Sequence, residues 1–156
     1  MSKLANKLRP RADRSSLPSE TLPAHSGSAL LRQAWISLAL WIAFGILLEG
    51  FRAFRSPTYL DDAVRRDMFR LAHAHGTLLN FMLLAAALCA RLDLIKLASM
   101  TSLGLRIAVV LLPAGFLFGG LWHLKDEPGL GILLVPIGAV LLLASAVHVS
   151  LTLPRR

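Results

Sequence analysis

The stretch that decides the fold is residues 129–153, GLGILLVPIGAVLLLASAVHVSLTL, in which no residue is charged. At 1.5 Å per residue, a helix of this length exceeds the hydrocarbon core of a bilayer, which is about 30 Å thick. Apolar side chains surround such a helix almost completely and leave no polar stripe to face water. The stretch therefore predicts a transmembrane helix.

Three further apolar stretches precede it, at about 34–51, 71–90 and 107–124, and Glu49 is the single charged residue within them. Apolar types make up 55% of the chain and charged types 17%. Soluble domains average about 45–50% and 25%. We therefore predict an all-α fold, a four-transmembrane-helix bundle within residues 31–156, with the fourth helix at about 129–153.

Residues 1–30 differ from the rest of the chain. They contain three prolines, several serines and five basic residues: Lys3, Lys7, Arg9, Arg11 and Arg14. No apolar periodicity is visible, and no small-residue cleavage site follows a short apolar core as in a signal peptide. We predict a disordered basic tail.

The distribution of charge predicts the topology. With both termini on one side, that side carries eleven Lys and Arg against three acidic residues, and the other side carries six against six. Basic residues favour the cytoplasmic side, so we predict an N-in, C-in protein of a bacterial cytoplasmic (inner) membrane. The excess of basic residues on one side accounts for the net charge of +8. These residues can contact the anionic lipids of the bilayer. We expect no nucleic-acid partner.

Ionisable side chains at the ends of three helices lie on the same predicted outer face: Glu49, His73, His75 and His123. Such groups at membrane depth are candidates for function. Imidazole and carboxylate suit zinc, iron or copper, which predicts a metal site of His73, His123 and Glu49. His148 lies too far along the fourth helix to join them.

A polar stripe runs along the second helix through His73, Thr77 and Asn80. His73 and His75 are about 200° apart on a helix, so only one of them can face the bundle with this stripe. Buried polar groups in lipid need partners. The predicted ligand-binding residues are His73, His75, Thr77 and Asn80, and the alternative is a hydrogen-bonded seam between helices.

Gly115 and Gly119 form a small-xxx-small pattern in the third helix. This pattern lets two helices approach closely. It predicts packing either within the bundle or against a partner, which would be a second copy or a subunit of a membrane complex.

Several short runs carry a resemblance: LEG at 48–50, AHAHGT at 72–77, GG at 119–120, DEPG at 126–129 and PIGA at 136–139. With them, about residues 35–153 resemble a family of small uncharacterised bacterial four-helix integral membrane proteins, which implies a cytoplasmic membrane location. The HAHG run is also similar to helix starts of haem-copper oxidase-like proteins, implying haem ligation by His73 or His75. In its LEG run and its four predicted helices, the sequence is also similar to hydroxylaminobenzene mutase-like proteins.

Three functions remain open from the sequence. The first is an accessory subunit whose outer-face His/Glu cluster binds a transition metal, haem or a small amphiphile. The second is a small membrane enzyme of isomerase or mutase type, in which Glu49 and His73 are the catalytic acid and base. The third is a purely structural helix bundle.

Overall fold

A computed structural model describes residues 25–153, and these form helices joined by short links with no β-strand. The helices are α1 (His25–Ala53), α2 (Pro57–Leu60), α3 (Ala63–Arg91), α4 (Ser99–Leu121) and α5 (Leu134–Thr152). A 3₁₀-helix, Leu130–Leu133, leads directly into α5. The prediction of an all-α fold is confirmed.

Four helical segments are long and apolar enough to cross a membrane: Gly27–Ala53, Ala63–Arg91, Ser99–Leu121 and Leu130–Thr152. Of these long helices, α1, α3 and α4 begin eight or nine residues earlier than predicted. The prediction started each helix at an uninterrupted apolar run, but polar and basic residues continue a helix readily. Residues 25–30 therefore belong to α1 and not to the tail, and residues 1–24 lie outside the described residues.

Two ends of the molecule can be defined from the chain path. The terminal face holds the start of α1, the link 92–98 and the end of α5. The loop face holds α2 and the link 122–129. Because the long helices alternate in direction, α1 and α4 run parallel, and α3 runs antiparallel to both.

The long helices form an open row. α1 packs against α3, α3 against α4, and α4 against α5, while α1 and α4 make few contacts. Within residues 25–153, α5 packs against neither α1 nor α3. The four-transmembrane-helix bundle therefore stays a prediction. Helices that are apolar all round have no polar stripe to specify a second neighbour, and lipid supplies no hydrophobic force that would close the row.

Two clusters of buried side chains hold the row together. The larger joins α1, α3 and α4 in the half of the molecule toward the terminal face, with Ala34, Leu83 and Val109 almost completely buried. The smaller lies toward the loop face and includes Tyr59 of α2 and Phe69 of α3. Phe69 contacts Phe44 of α1 edge to face, which extends this cluster between the helices.

The small-residue pattern of α4 packs within the chain. Gly115 lies against Val135 at the start of α5, and Gly119 lies against Ile132 of the 3₁₀-helix. The Gly129 N–H donates to the Gly119 carbonyl oxygen at 2.8 Å, which closes the link 122–129. The structure therefore shows packing within the chain at both glycines, and the oligomer or membrane-complex partner stays a prediction.

Candidate functional site

The predicted metal cluster does not assemble. Among residues 25–153, no three His, Cys, Asp or Glu side chains form a group that could hold a metal ion. Glu49 is exposed and makes no hydrogen bond or ion pair with His73. His123 pairs with Asp62, which fixes it at a different corner of the loop face. The three residues share the loop-face half of the molecule, as the sequence predicted, but they lie in separate environments.

His73 belongs to a seam between α1 and α3. Its Nδ1 lies 2.9 Å from the Trp41 carbonyl oxygen. The seam is a reciprocal fit: the His73 ring occupies the space over Gly45 of α1, and the Trp41 ring occupies the space over Gly76 of α3. A Cβ atom at either glycine would overlap the opposing ring. The close neighbour of Gly76 is Trp41 of α1.

The stripe below His73 faces the interior, as predicted. Asn80 is fully buried, and its Nδ2 donates to the Gly76 carbonyl oxygen at 2.7 Å. Asn80 Oδ1 and Thr77 Oγ1 are buried and have no hydrogen-bond partner among residues 25–153. The stripe therefore contains buried polar atoms without hydrogen bonds, and their burial lowers the stability of the fold.

His75 does not share the stripe, so the predicted ligand-binding residues lie on two faces of α3. Its ring stacks on Phe116 of α4 with 4.8 Å between ring centres, and its Nδ1 lies 2.9 Å from the Leu71 carbonyl oxygen. His73 thus faces α1 while His75 faces α4. The helical spacing of the two residues is the reason.

His123 is held at the loop face by two oxygen atoms. Its Nε2 lies 2.8 Å from Asp62 Oδ2, and its Nδ1 lies 3.1 Å from the Lys125 carbonyl oxygen. Both ring nitrogens therefore face oxygen atoms. The contact ties the end of α4 to the start of α3.

Arg65 reinforces the same corner. Its guanidinium donates to the carbonyl oxygens of Thr58 at 2.9 Å and of Gly120 at 3.4 Å, and it lies 3.6 Å from Asp62 Oδ2. Asp62 caps α3 by accepting the Arg65 backbone N–H at 2.9 Å. Burial raises the pKa of Asp62, but the hydrogen bonds from Arg65 and His123 and their charges outweigh it, so the pKa falls below 3.8.

We predict that Asp62→Ala lowers the free energy of unfolding by about 1 kcal/mol at neutral pH, because α3 loses its N-cap. A lowered folded-state pKa adds stability above the unfolded value of about 3.8, and this is lost as the pH falls through the folded pKa. Thermal melting in detergent from pH 7 to pH 3 should show a smaller acid-side loss for the variant. Asp61→Ala is the control, because Asp61 is exposed, and an equal effect of both variants would contradict the prediction.

Among residues 25–153 no three His, Cys, Asp or Glu donors converge on one metal ion, and both ring nitrogens of His123 face oxygen atoms. Nδ1 of His73 faces a backbone oxygen, which leaves Nε2 as the one ring nitrogen of this residue that could bind a metal. The cavity between α1 and α4, described next, contains no His, Cys, Met or Tyr side chain that would ligate haem iron.

An open groove of about 650 Å³ lies between α1 and α4. It exists because these two parallel helices make few contacts with each other, while both pack against α3. Its volume is within the range of about 300–1,000 Å³ that is typical of small-molecule sites. The described structure therefore offers this groove, away from the His/Glu face, as a place for a ligand.

One end of the groove is polar and lies toward the terminal face. Its polar lining residues are Arg32, Gln33 and Ser37 of α1 and Arg106 of α4. Arg106 Nε donates to Gln33 Oε1 at 2.6 Å, and Gln33 Nε2 donates to the Arg106 carbonyl oxygen at 3.0 Å. This reciprocal pair joins α1 to α4 across the groove.

The rest of the groove is lined by carbon. Apolar side chains continue from the polar end toward the centre of the helices, and those from the two walls are Ile36, Leu40, Trp41, Phe44, Val110 and Leu117. From Arg32 to Phe44 the α1 wall extends over roughly 18 Å, slightly more than half of a hydrocarbon core about 30 Å thick. The groove therefore matches an amphiphile that places its polar end at the arginines and one hydrocarbon chain along the apolar wall.

The sequence alone does not predict this groove. In the sequence, Arg32 and Arg106 are two of the eleven basic residues on one predicted side of the membrane, and Gln33 has no predicted role. The structure places Arg32 in α1 and Arg106 in α4. One signal was present in the sequence: each arginine is surrounded by apolar residues with helical spacing, which is typical of a basic residue within a helix end.

No protein-family model, curated protein or solved structure matches this chain. The resemblance to small four-helix membrane proteins and the two weaker likenesses therefore stay predictions. The contacts of the described residues and the groove between α1 and α4 therefore carry the proposed function.

Proposed function

We propose that the protein spans a membrane and binds an amphiphile in the groove between α1 and α4. The observation that carries this proposal is the gradient along one cavity, from two arginines and a glutamine at the terminal face to aromatic and aliphatic walls. A polar head would lie at Arg32 and Arg106, and a single hydrocarbon chain would extend past Trp41. This is the amphiphile-binding form of an accessory subunit.

Burial of apolar surface would provide the affinity for the chain only in part, because lipid tails already surround the protein. The shape of the groove walls contributes the rest of the affinity. Trp41 is held in place by the seam with α3, so one side of the groove is rigid. A preformed cavity reduces the ordering cost of binding. Selection of the ligand then depends on the polar end.

The orientation and location belong to the same proposal. The terminal face is placed in the cytoplasm because most Lys and Arg residues are on that side. The resemblance of the sequence favours a bacterial cytoplasmic membrane. In this orientation the head of the bound amphiphile lies at the level of the inner leaflet, where anionic lipid heads attract basic residues.

We predict that Val110→Trp abolishes retention of the amphiphile. Val110 lies in the groove wall and is half exposed, so an indole at this position would fill the space of the chain. Native mass spectrometry in a mild detergent should show one retained amphiphile mass on the original protein and at least a ten-fold loss in the variant.

Val140→Trp is the matched control for this experiment. Val140 is also exposed, but it lies on α5 and outside the groove. The same substitution there should leave the retained mass unchanged. Equal retention by Val110→Trp, Val140→Trp and the original protein would contradict an amphiphile in the groove.

A further inference from the structure

The Arg106 side chain is fixed along one edge of its guanidinium. Its Nε is bound to Gln33 Oε1, and the Gln33 amide returns a hydrogen bond to the Arg106 backbone. The two terminal nitrogens, Nη1 and Nη2, have no hydrogen-bond or ion-pair partner among the described residues. The guanidinium is therefore prepositioned with a pair of parallel N–H donors free for a ligand.

Arg32 places a second positive charge beside the first, on the same polar end of the groove. The groove lining contains no Asp or Glu. Throughout residues 25–153, ion pairs occur only around Asp62 on the opposite loop face. Two uncompensated cations close to hydrocarbon are costly, and an anion between them would offset that cost.

We infer that the ligand is an anionic phospholipid and that its phosphate binds the free edge of Arg106. Two phosphate oxygens match the spacing of the two terminal nitrogens of a guanidinium. Arg32 adds attraction for a net negative head and repels a head that carries its own ammonium group. This inference depends on the proposed function, because the phosphate is brought to Arg106 by a chain in the groove.

Gln33 is a positioning residue in this arrangement. It holds Arg106 without neutralising it, because an amide carries no charge. Gln33→Glu would preserve the size of the side chain and an acceptor for Arg106 Nε, but it would place a carboxylate beside the guanidinium. The variant also loses the donor that Gln33 Nε2 gives to the Arg106 carbonyl oxygen. We expect it to weaken that helix contact, to keep the acceptor for Arg106 Nε and to lose the preference for an anion.

The test uses Trp41 as a reporter, because its ring lines the groove about 12 Å beyond Gln33 along α1. Trp35→Phe and Trp122→Phe remove the other two tryptophans, which lie outside the groove lining. This protein is reconstituted in phosphatidylcholine vesicles with a small fraction of mid-chain brominated lipid. Bromine quenches an indole that it contacts, and brominated phosphatidylglycerol is compared with brominated phosphatidylcholine.

We expect phosphatidylglycerol to bind at Trp41 about ten-fold more strongly than phosphatidylcholine, which corresponds to a charge-assisted bidentate contact. The preference should fall to about one in Arg106→Gln and in Gln33→Glu. Arg106→Lys should keep part of it, since the charge remains and the paired donors are lost. Arg91→Gln is the control, because it removes one charge from the terminal-face end of α3 outside the groove.

Each outcome decides the inference. The inference is supported if the preference for phosphatidylglycerol is lost in Arg106→Gln and in Gln33→Glu and is retained in Arg91→Gln. Equal quenching by both lipids would overturn the phosphate assignment and leave a nonselective amphiphile groove, whereas no quenching by either would overturn the proposed function as well. Inorganic phosphate at millimolar concentration should not displace the lipid, and displacement would assign the site to free phosphate instead.

Discussion

Gly76→Ala should lower the free energy of unfolding by about 3 kcal/mol, the upper end of the cost of overpacking a well-filled interior. The added methyl group would overlap the Trp41 ring, which lies directly over Gly76. A rigid indole cannot yield as the end of a flexible side chain does, so α1 and α3 must separate. Equilibrium unfolding in mixed detergent micelles would measure the loss.

The same variant should also weaken amphiphile binding, because Trp41 lies both in the seam and in the groove wall. A shifted indole would narrow the groove or open it toward lipid. The variant therefore tests whether the seam between α1 and α3 supports the site. Normal amphiphile retention at reduced stability would show that the two are independent.

Gly50→Ala is the control for the backbone effect of replacing glycine in a helix. No atom lies within 4 Å of a Cβ at Gly50, so this variant should gain about 0.5–1 kcal/mol from helix propensity. Adding Trp41→Leu to Gly76→Ala should recover part of the lost stability, since residues in contact are not additive. Equal effects of Gly76→Ala and Gly50→Ala would contradict the packing argument.

The sequence predicted the features that depend on local pattern. Long uncharged runs predicted the four apolar helices, and helical spacing separated His73 from His75 and aligned Thr77 with Asn80. The structure confirms that His73 and Asn80 lie on the inner side of α3. These predictions succeed because a helix fixes the direction of each side chain once its period is known.

Features that depend on contacts between helices were not predicted. His123 binds Asp62, a residue 61 positions away in the chain, and no spacing rule connects them. The open row and its groove follow from the sparse packing between α1 and α4. An apolar pattern does not distinguish a surface that faces protein from one that faces lipid. The structure places three polar residues on the two sides of that groove, Arg32 and Gln33 in α1 and Arg106 in α4. Their position in the groove does not follow from the sequence pattern.

Asn80→Leu should raise the free energy of unfolding by about 2 kcal/mol. Asn80 is fully buried and its Oδ1 has no partner, so the native side chain carries the cost of an unsatisfied polar atom. Leucine is similar in size. The hydrogen bond from Nδ2 to the Gly76 carbonyl would be lost, but that oxygen also lies one helical turn before the backbone N–H of residue 80, which keeps it paired.

Asn80→Ala separates the removal of the polar group from packing, because it removes the amide and leaves a cavity whose cost is of similar size and opposite sign. We expect Asn80→Leu to be more stable than the original protein and Asn80→Ala to be no more stable than it, by the same micelle unfolding measurement. A loss of stability in Asn80→Leu would show instead that Oδ1 has a partner within the membrane, such as a bound water. Stabilisation would mean that the buried amide opposes folding, and the seam between α1 and α3 would then depend on the glycine fits and not on its polar stripe.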